Sequence, residues 1–195
     1  TYPYGMVQFT PSYFSKRSGF VINQLSGGGC EHMGNFPTFP VKGKLKMSPD
    51  NILNYRINVS EEKGHAGYYE AMVQEDIKAK LTVTERTGMA SYEYPADQQY
   101  GTIIIGGGIS ATPIEQAAIV ITAPNKCEGY AEGGNFCGLR TPYKVYFVAE
   151  FDTDALESGT WKRDELKPNT TFAEGEYSGV YFTFDVNKKK NVQYK

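Results

Sequence analysis

The eight residues Ile77-Lys78-Ala79-Lys80-Leu81-Thr82-Val83-Thr84 alternate apolar and polar without a break, and this constrains the fold more than any other feature of the chain. Successive side chains of an extended strand point to opposite faces, so Ile77, Ala79, Leu81 and Val83 share one face while the lysines and threonines meet water. A helix would scatter the same residues around its circumference. Residues 68–74 form a second strand just upstream, and Glu75-Asp76 offers a two-residue reversal, so residues 68–84 read as a hairpin. Residues 89–94 add a third strand across Arg86-Thr87-Gly88, which makes a three-stranded meander.

The same logic runs to both ends. Residues 6–10 and 55–59 are short strand candidates, and residues 41–47 alternate apolar or small with basic before Ser48-Pro49-Asp50-Asn51 turns the chain. Ile103-Ile104-Ile105, within residues 101–106, is a continuous apolar run suited to a strand covered on both faces, and Gly106-Gly107-Gly108 ends it. Residues 115–122 mix helix-favouring Gln116, Ala117 and Ala118 with strand-favouring Ile119, Val120 and Ile121, and read as strand. Residues 125–142, with Gly129, Gly133, Gly134 and Gly138, read as a glycine-rich loop. Residues 143–151 alternate again, with Tyr143, Val145, Phe147, Ala149 and Phe151 on the core face. Residues 152–175 read as irregular, with a turn of helix near 164–166; strands at 177–186 and 192–195 follow, the last stopping mid-pattern. About ten or more short strands with little helix, separated by turns every ~8–12 residues, predict an all-β antiparallel β-sandwich. Fifteen tyrosines and eleven phenylalanines suit such pleated, half-buried surfaces. One domain over residues 1–195 is expected.

Residues 19–40, GFVINQLSGGGCEHMGNFPTFP, have almost no period and stand apart from this scaffold. Their glycines let the backbone enter positive φ and approach a ligand or a second segment closely, while small polar side chains can bond backbone or a hydroxylated ligand. Candidate substrate-binding residues are Phe20, Ser26, Gly27, Gly28, Gly29, Cys30, Glu31, His32 and Asn35. Of the carboxylates, Glu31 is the best placed acid; Asp152 and Asp154 sit where a strand ends. A glycosidase needs two such groups flanking the scissile bond, a spacing that sequence alone does not supply.

Other chemistries find less support. A formal charge of −2 with no basic stripe disfavours nucleic acid, and Lys188-Lys189-Lys190 reads as a solvated turn. No apolar stretch reaches the ~18 residues needed to span a membrane. His32 and His65 each lack an i, i+4 partner, so no metal-binding face forms, and no metal ligands are assigned in this chain. Cys30-Glu31-His32 places a thiol beside a base, but adjacent residues seldom point the same way. Neither glycine triplet carries the flanking residues of a phosphate or dinucleotide loop. Cys127 and Cys137 could close a loop, although their spacing proves no bridge.

Several ordered segments resemble a known family. Tyr2-Pro3-Tyr4-Gly5-Met6-Val7-Gln8-Phe9-Thr10-Pro11, Gly19-Phe20, Leu25-Ser26-Gly27-Gly28-Gly29-Cys30 with Gly34, Gly67-Tyr68-Tyr69, Ile77-Lys78-Ala79-Lys80-Leu81-Thr82 and Val145-Tyr146-Phe147-Val148-Ala149-Glu150-Phe151 together resemble the N-terminal domain of glycoside hydrolase family 92. The resemblance implies a bacterial, usually exported, calcium-dependent exo-α-mannosidase that inverts configuration. It implies a sandwich packed on a helical (α/α)6 barrel of the same polypeptide, with the catalytic pair and calcium ligands mainly in the barrel. This chain is then a non-catalytic N-terminal domain, secreted, periplasmic or at the cell surface, whose loops help shape a cleft for an α-mannoside-like glycan. A free-standing carbohydrate-binding module is the alternative. The family pattern Gly-Phe-Ser-His-Thr-His is replaced here by Gly19-Phe20-Val21-Ile22-Asn23-Gln24. The Gly-Asp after the cysteine is replaced by Glu31-His32, and the Asp after Gly34 by Asn35.

Overall fold

Antiparallel pairing of strands adjacent in sequence builds much of the molecule. The computed structural model describes residues 5–11, 19–23, 33–50 and 58–195. In chain order the strands are β1 (Thr10–Pro11), β2 (Phe20–Val21), β3 (Thr38–Lys42), β4 (Val59–His65), β5 (Tyr68–Val73), β6 (Ile77–Val83), β7 (Gly88–Glu93) and β8 (Tyr100–Gly106). Then come β9 (Ile114–Ala123), β10 (Lys126–Phe136), β11 (Leu139–Glu150), β12 (Glu157–Lys162), β13 (Glu165–Pro168), β14 (Phe172–Glu174), β15 (Ser178–Asp185) and β16 (Asn191–Tyr194). They form a seven-stranded sheet β1-β2-β3-β8-β15-β12-β13, a five-stranded sheet β16-β7-β6-β5-β4 and a four-stranded sheet β11-β10-β9-β14. The expected all-β antiparallel sandwich is the observed architecture, with three sheets.

The predicted meander is β5-β6-β7, with Ile77, Ala79 and Leu81 buried. Its first reversal spans residues 74–76, one more than expected, because Val73 pairs directly with Ile77 and leaves Gln74 and Glu75 at positive φ. The isoleucine run lies on β8, between β3 and β15, and all three side chains are buried. Ile103 and Ile105 share a face with their partners Phe182 and Val180, while Ile104 points the other way with Tyr181. On the first face Phe151, beyond the end of β11, touches Phe182, Phe184 and Tyr194, with ring centroids 4.8, 5.1 and 5.2 Å away. One aromatic knot thus joins the sheets.

Between the sheets a polar cluster is fully satisfied. Tyr194 Oη donates to Thr38 Oγ1 at 2.6 Å, and Thr38 Oγ1 donates to the Phe20 carbonyl at 3.4 Å. Tyr92 Oη lies 3.2 Å from the same Thr38 oxygen. Burial pushes the Tyr92 phenol up to about 12 and raises Tyr94 and Tyr194 well above the ordinary value.

Several expectations are corrected. Residues 125–142 are not a loop: they hold all of β10 and the start of β11, joined by the turn at Cys137 and Gly138. Gly129 and Gly133 lie within the β10 ladder, where neighbours leave no room for a side chain; a Cβ on Gly133 would lie 2.6 Å from the Pro113 carbonyl oxygen. Residues 152–175 are not irregular but carry β12, β13 and β14, and the expected turn of helix is a hairpin reversal with Arg163 at φ 52°. The strand expected at 41–47 ends at Lys42, because Gly43 takes φ 77°. Of residues 6–10 only Thr10 is in a strand. β4 begins at Val59, where the expected strand ended; residues 55–57 of that expectation lie outside the described residues. Cys127 is a free, buried thiol and Cys137 is disulfide-bonded, so the two do not pair. Among the described residues no helix is long and apolar enough to cross a membrane.

Candidate functional site

Of the stretch 19–40, the described residues include two strands, β2 and β3. Phe20 is completely buried, pairs with Thr38 and stacks on Tyr92 at 6.0 Å. It anchors the entry to the stretch from inside the core. Pro40 on β3, opposite Ile103 of β8, leaves no amide to donate; among the described residues β2 pairs with β3 only at Phe20 and Thr38, so none of them needs one.

Residues 33–36 make a tight bend. Met33, Gly34 and Phe36 have φ of 52°, 73° and 52°. Two of these are not glycine, and left-handed backbone of that kind persists only where its surroundings over-determine it. The surroundings are visible. Gly34 N donates to the Asn23 carbonyl at 2.7 Å, Ala111 N donates to the Met33 carbonyl at 2.6 Å, and the Phe36 ring lies 4.2 Å from that of Phe147.

Asn35 sits at the centre of the bend and is fully buried. Its backbone N–H donates to Asn23 Oδ1 at 2.8 Å, and its Oδ1 accepts from Asn23 Nδ2 at 3.2 Å and from Tyr143 Oη at 2.9 Å. Thr112 Oγ1 lies 3.1 Å from Tyr143 Oη, and Ser110 Oγ donates to the Thr112 carbonyl at 2.6 Å. Two donors on Oδ1 fix the amide orientation. Its Nδ2 is buried with no hydrogen-bond partner among the described residues. A donor so placed is costly unless a water or a ligand oxygen meets it.

Of the nine candidate residues, Phe20 and Asn35 are described; Ser26, Gly27, Gly28, Gly29, Cys30, Glu31 and His32 lie outside the described residues. Asp152 accepts from Gln193 N at 3.1 Å and pairs with Lys189 at 2.7 Å, which ties β16 to the end of β11. Lys188 and Lys189 ion-pair with Asp185 and Asp152 at the turn between β15 and β16. His65 is exposed at the end of β4 and stacks on Tyr68 at 5.3 Å. Among the described residues no three His, Cys, Asp or Glu side chains converge to hold a metal ion.

A family model for the glycosyl hydrolase family 92 N-terminal domain matches residues 1–195. The chain belongs to that family. Solved structures agree on the fold. The family 92 glycosyl hydrolase ccman5 is 20% identical with a TM-score of 0.81, covering 98% of this chain and 28% of its own. The family 92 α-mannosidase BT3965 of Bacteroides thetaiotaomicron is 22% identical with a TM-score of 0.80, covering 98% and 30%. The family 92 inverting mannosidase BT2199 of the same organism is 21% identical with a TM-score of 0.76, covering 98% and 27%. The chain therefore spans about 30% or less of these neighbours' lengths. No curated protein sequence matches it.

In this family 92 domain, sequence reading missed Asn23, Ser110, Thr112 and Tyr143. The asparagine lies inside the stretch already singled out, but Tyr143 is 108 residues from Asn35 and joins it only through the register of β11. Replacing Asn35 by alanine leaves Asn23 Nδ2 without this acceptor and is expected to cost about 1–3 kcal/mol. Asn35→Asp keeps an acceptor but buries a charge, which raises the new carboxyl's pKa in the folded state. Its deficit relative to the natural chain should be larger at pH 7 than at pH 4, as urea unfolding at both values would show; an equal deficit would mean that water reaches the site.

Proposed function

We propose that this chain is the non-catalytic N-terminal domain of a calcium-dependent, inverting exo-α-mannosidase-like glycoside hydrolase, and that the bend at Asn35 helps shape the sugar-binding cleft where the next domain packs. Family membership over the whole chain carries this reading. The neighbours' names supply the substrate class, and their much longer chains supply room for a helical catalytic domain in the same polypeptide. The unpaired Asn35 Nδ2 supports the cleft role, because a buried donor with no partner suits a sugar hydroxyl or the water that carries one. Calcium is assigned to the partner domain, as the family resemblance implies. The disulfide at Cys137 supports export to an oxidising compartment, such as a bacterial periplasm or cell surface.

The alternative of a free-standing carbohydrate-binding module would use exposed aromatic faces. Phe20 and Phe36 are both buried, which favours the interface role. The test uses aryl α-mannosides. Residues 1–195 alone are expected to give no turnover with or without calcium, and the parent polypeptide to hydrolyse the substrate with inversion and to lose activity in chelator. Turnover by residues 1–195 that disappears on Glu31→Gln would overturn the assignment.

A further inference from the structure

The four-stranded sheet has two faces of different character. On the inward face Ala117, Ile119, Cys127, Ala131, Ala149 and Ala173 are buried. Alternate residues of a strand point the opposite way, and on that side Tyr146 is 69%, Val148 56% and Phe172 54% exposed. The alternation along β11 keeps two surfaces apart: Tyr143 and Phe147 turn inward, to Asn35 and Phe36, while Tyr146 turns outward. The outward face is therefore separate from the bend at Asn35.

Register lines the outward residues up in rows across the strands. Glu174 lies opposite Ala118, Ala118 opposite Tyr130, and Tyr130 opposite Tyr146. In the next row Phe172, Val120, Glu128 and Val148 follow in the same strand order. The Tyr130 and Tyr146 ring centroids are 6.0 Å apart, with the planes tilted by 45°. Lys144, ion-paired with Glu132, sets its Nζ 4.1 Å from the centre of the Tyr130 ring and 5.5 Å from that of Tyr146. The lysine thus caps Tyr130, which is half-buried, and leaves Tyr146 as the open ring. Glu128 and Glu174 make no ion pair among the described residues.

We propose that this face is a second sugar-binding surface, a shallow platform for a neutral glycan with Tyr146 as its stacking ring. Charge selects the occupant. Glu128, Glu132 and Glu174 stand against one cation, Lys144, so nucleic acid and anionic lipid surfaces are repelled. An apolar protein surface would strip water from Glu128 and Glu174 without pairing them, which is costly. A second copy of this chain would bring the same carboxylates face to face. A sugar avoids these penalties: its C–H face packs on an aromatic ring, its hydroxyls donate to carboxylates and accept from an ammonium, and an open site leaves unused charge in water. Ala118, with only a methyl group between Tyr130 and Glu174, leaves room for a sugar ring to lie across the row.

Affinity electrophoresis of this chain in gels containing soluble α-mannan or dextran tests the surface. The choice of α-mannan rests on the hydrolase reading, and dextran represents neutral glycans outside it. Retardation by at least one of them is expected. Tyr146→Ala, at an exposed position where substitution should not disturb folding, is expected to weaken binding at least about 10-fold, and Glu128→Gln about 3-fold or more. Met47→Ala, 71% exposed and outside the sheet, should change nothing. In the parent polypeptide Tyr146 should be open to hydroxyl-radical oxidation and become protected when the retarding glycan is added. Free migration in both gels, or retardation that survives Tyr146→Ala, would overturn the proposal. So would protection of Tyr146 in the parent without sugar, which would give the face to the next domain, and Tyr146-dependent dimerisation of this chain, which would give it to a second copy. No readout involves turnover, so failure here and failure of the hydrolase reading are separable.

Discussion

Phe151→Ala should lower the unfolding free energy by about 3–5 kcal/mol, the range for deleting a buried phenylalanine ring from a packed core. The ring is buried, and its three aromatic partners lie on two different sheets: Phe182 and Phe184 on β15, Tyr194 on β16. Strands whose backbones are held by separate ladders cannot collapse together into the space left behind, which places the cost toward the upper end of the range. For a domain with a stability of about 5–15 kcal/mol this is a large fraction, and the melting temperature should fall by roughly 6–20 °C. Phe151→Leu, which keeps most of the volume, should cost about 1.5 kcal/mol or less. Leu139→Ala, at a position 72% exposed, is the control and should stay within about 0.5 kcal/mol. Urea unfolding of the set reads all of these. A loss under about 1 kcal/mol for Phe151→Ala would mean that the three sheets do not share one core.

What the sequence made legible follows from what each residue pattern can encode. Residues 77–83 and 103–105 declare themselves because their burial is set by strand geometry alone: alternation for one wet face, an unbroken run for two covered faces. β10 hides because glycine usually marks a turn, yet Cys127, Gly129, Ala131 and Gly133 recur at every second position with Glu128, Tyr130 and Glu132 between them. Small residues at a period of two are the signature of a strand under close cover, and that signal was present. β4 hides for the opposite reason: it is a solvated edge, with most of its residues exposed, and has no apolar face to display. At the candidate site, Asn35 was legible through its glycine-rich, aperiodic neighbourhood. Its partners Tyr143 and Thr112 were not, because a contact between distant strands depends on register and on a bulge near Gly133 that no local pattern announces.

Above pH 10 the domain should lose stability steeply, through three buried tyrosines. Tyr92, Tyr94 and Tyr194 are held protonated chiefly by burial, which penalises the phenolate; for Tyr92, hydrogen bonds with Thr38 and Tyr194 offset part of that penalty and leave it at about 12. In the unfolded chain each phenol titrates near its ordinary value of about 10. Between that value and the folded one, the unfolded chain has released protons that the folded chain still binds, so raising the pH favours unfolding. Below pH 10 both states keep these protons and the three groups contribute no slope. Each tyrosine adds up to about 1.4 kcal/mol of lost stability per pH unit, and the three together about 4 kcal/mol per unit at the steepest. A domain of ordinary stability would unfold within about one to four pH units of that onset. Tyr92→Phe removes one titrating group, so its stability should fall less steeply above pH 10, even though loss of the contact with Thr38 costs about 1 kcal/mol at neutral pH. Urea midpoints from pH 8 to 11.5 on both proteins distinguish the two effects. A flat profile, or identical slopes, would show that water reaches the phenols and that the Thr38 cluster is not sealed between the sheets.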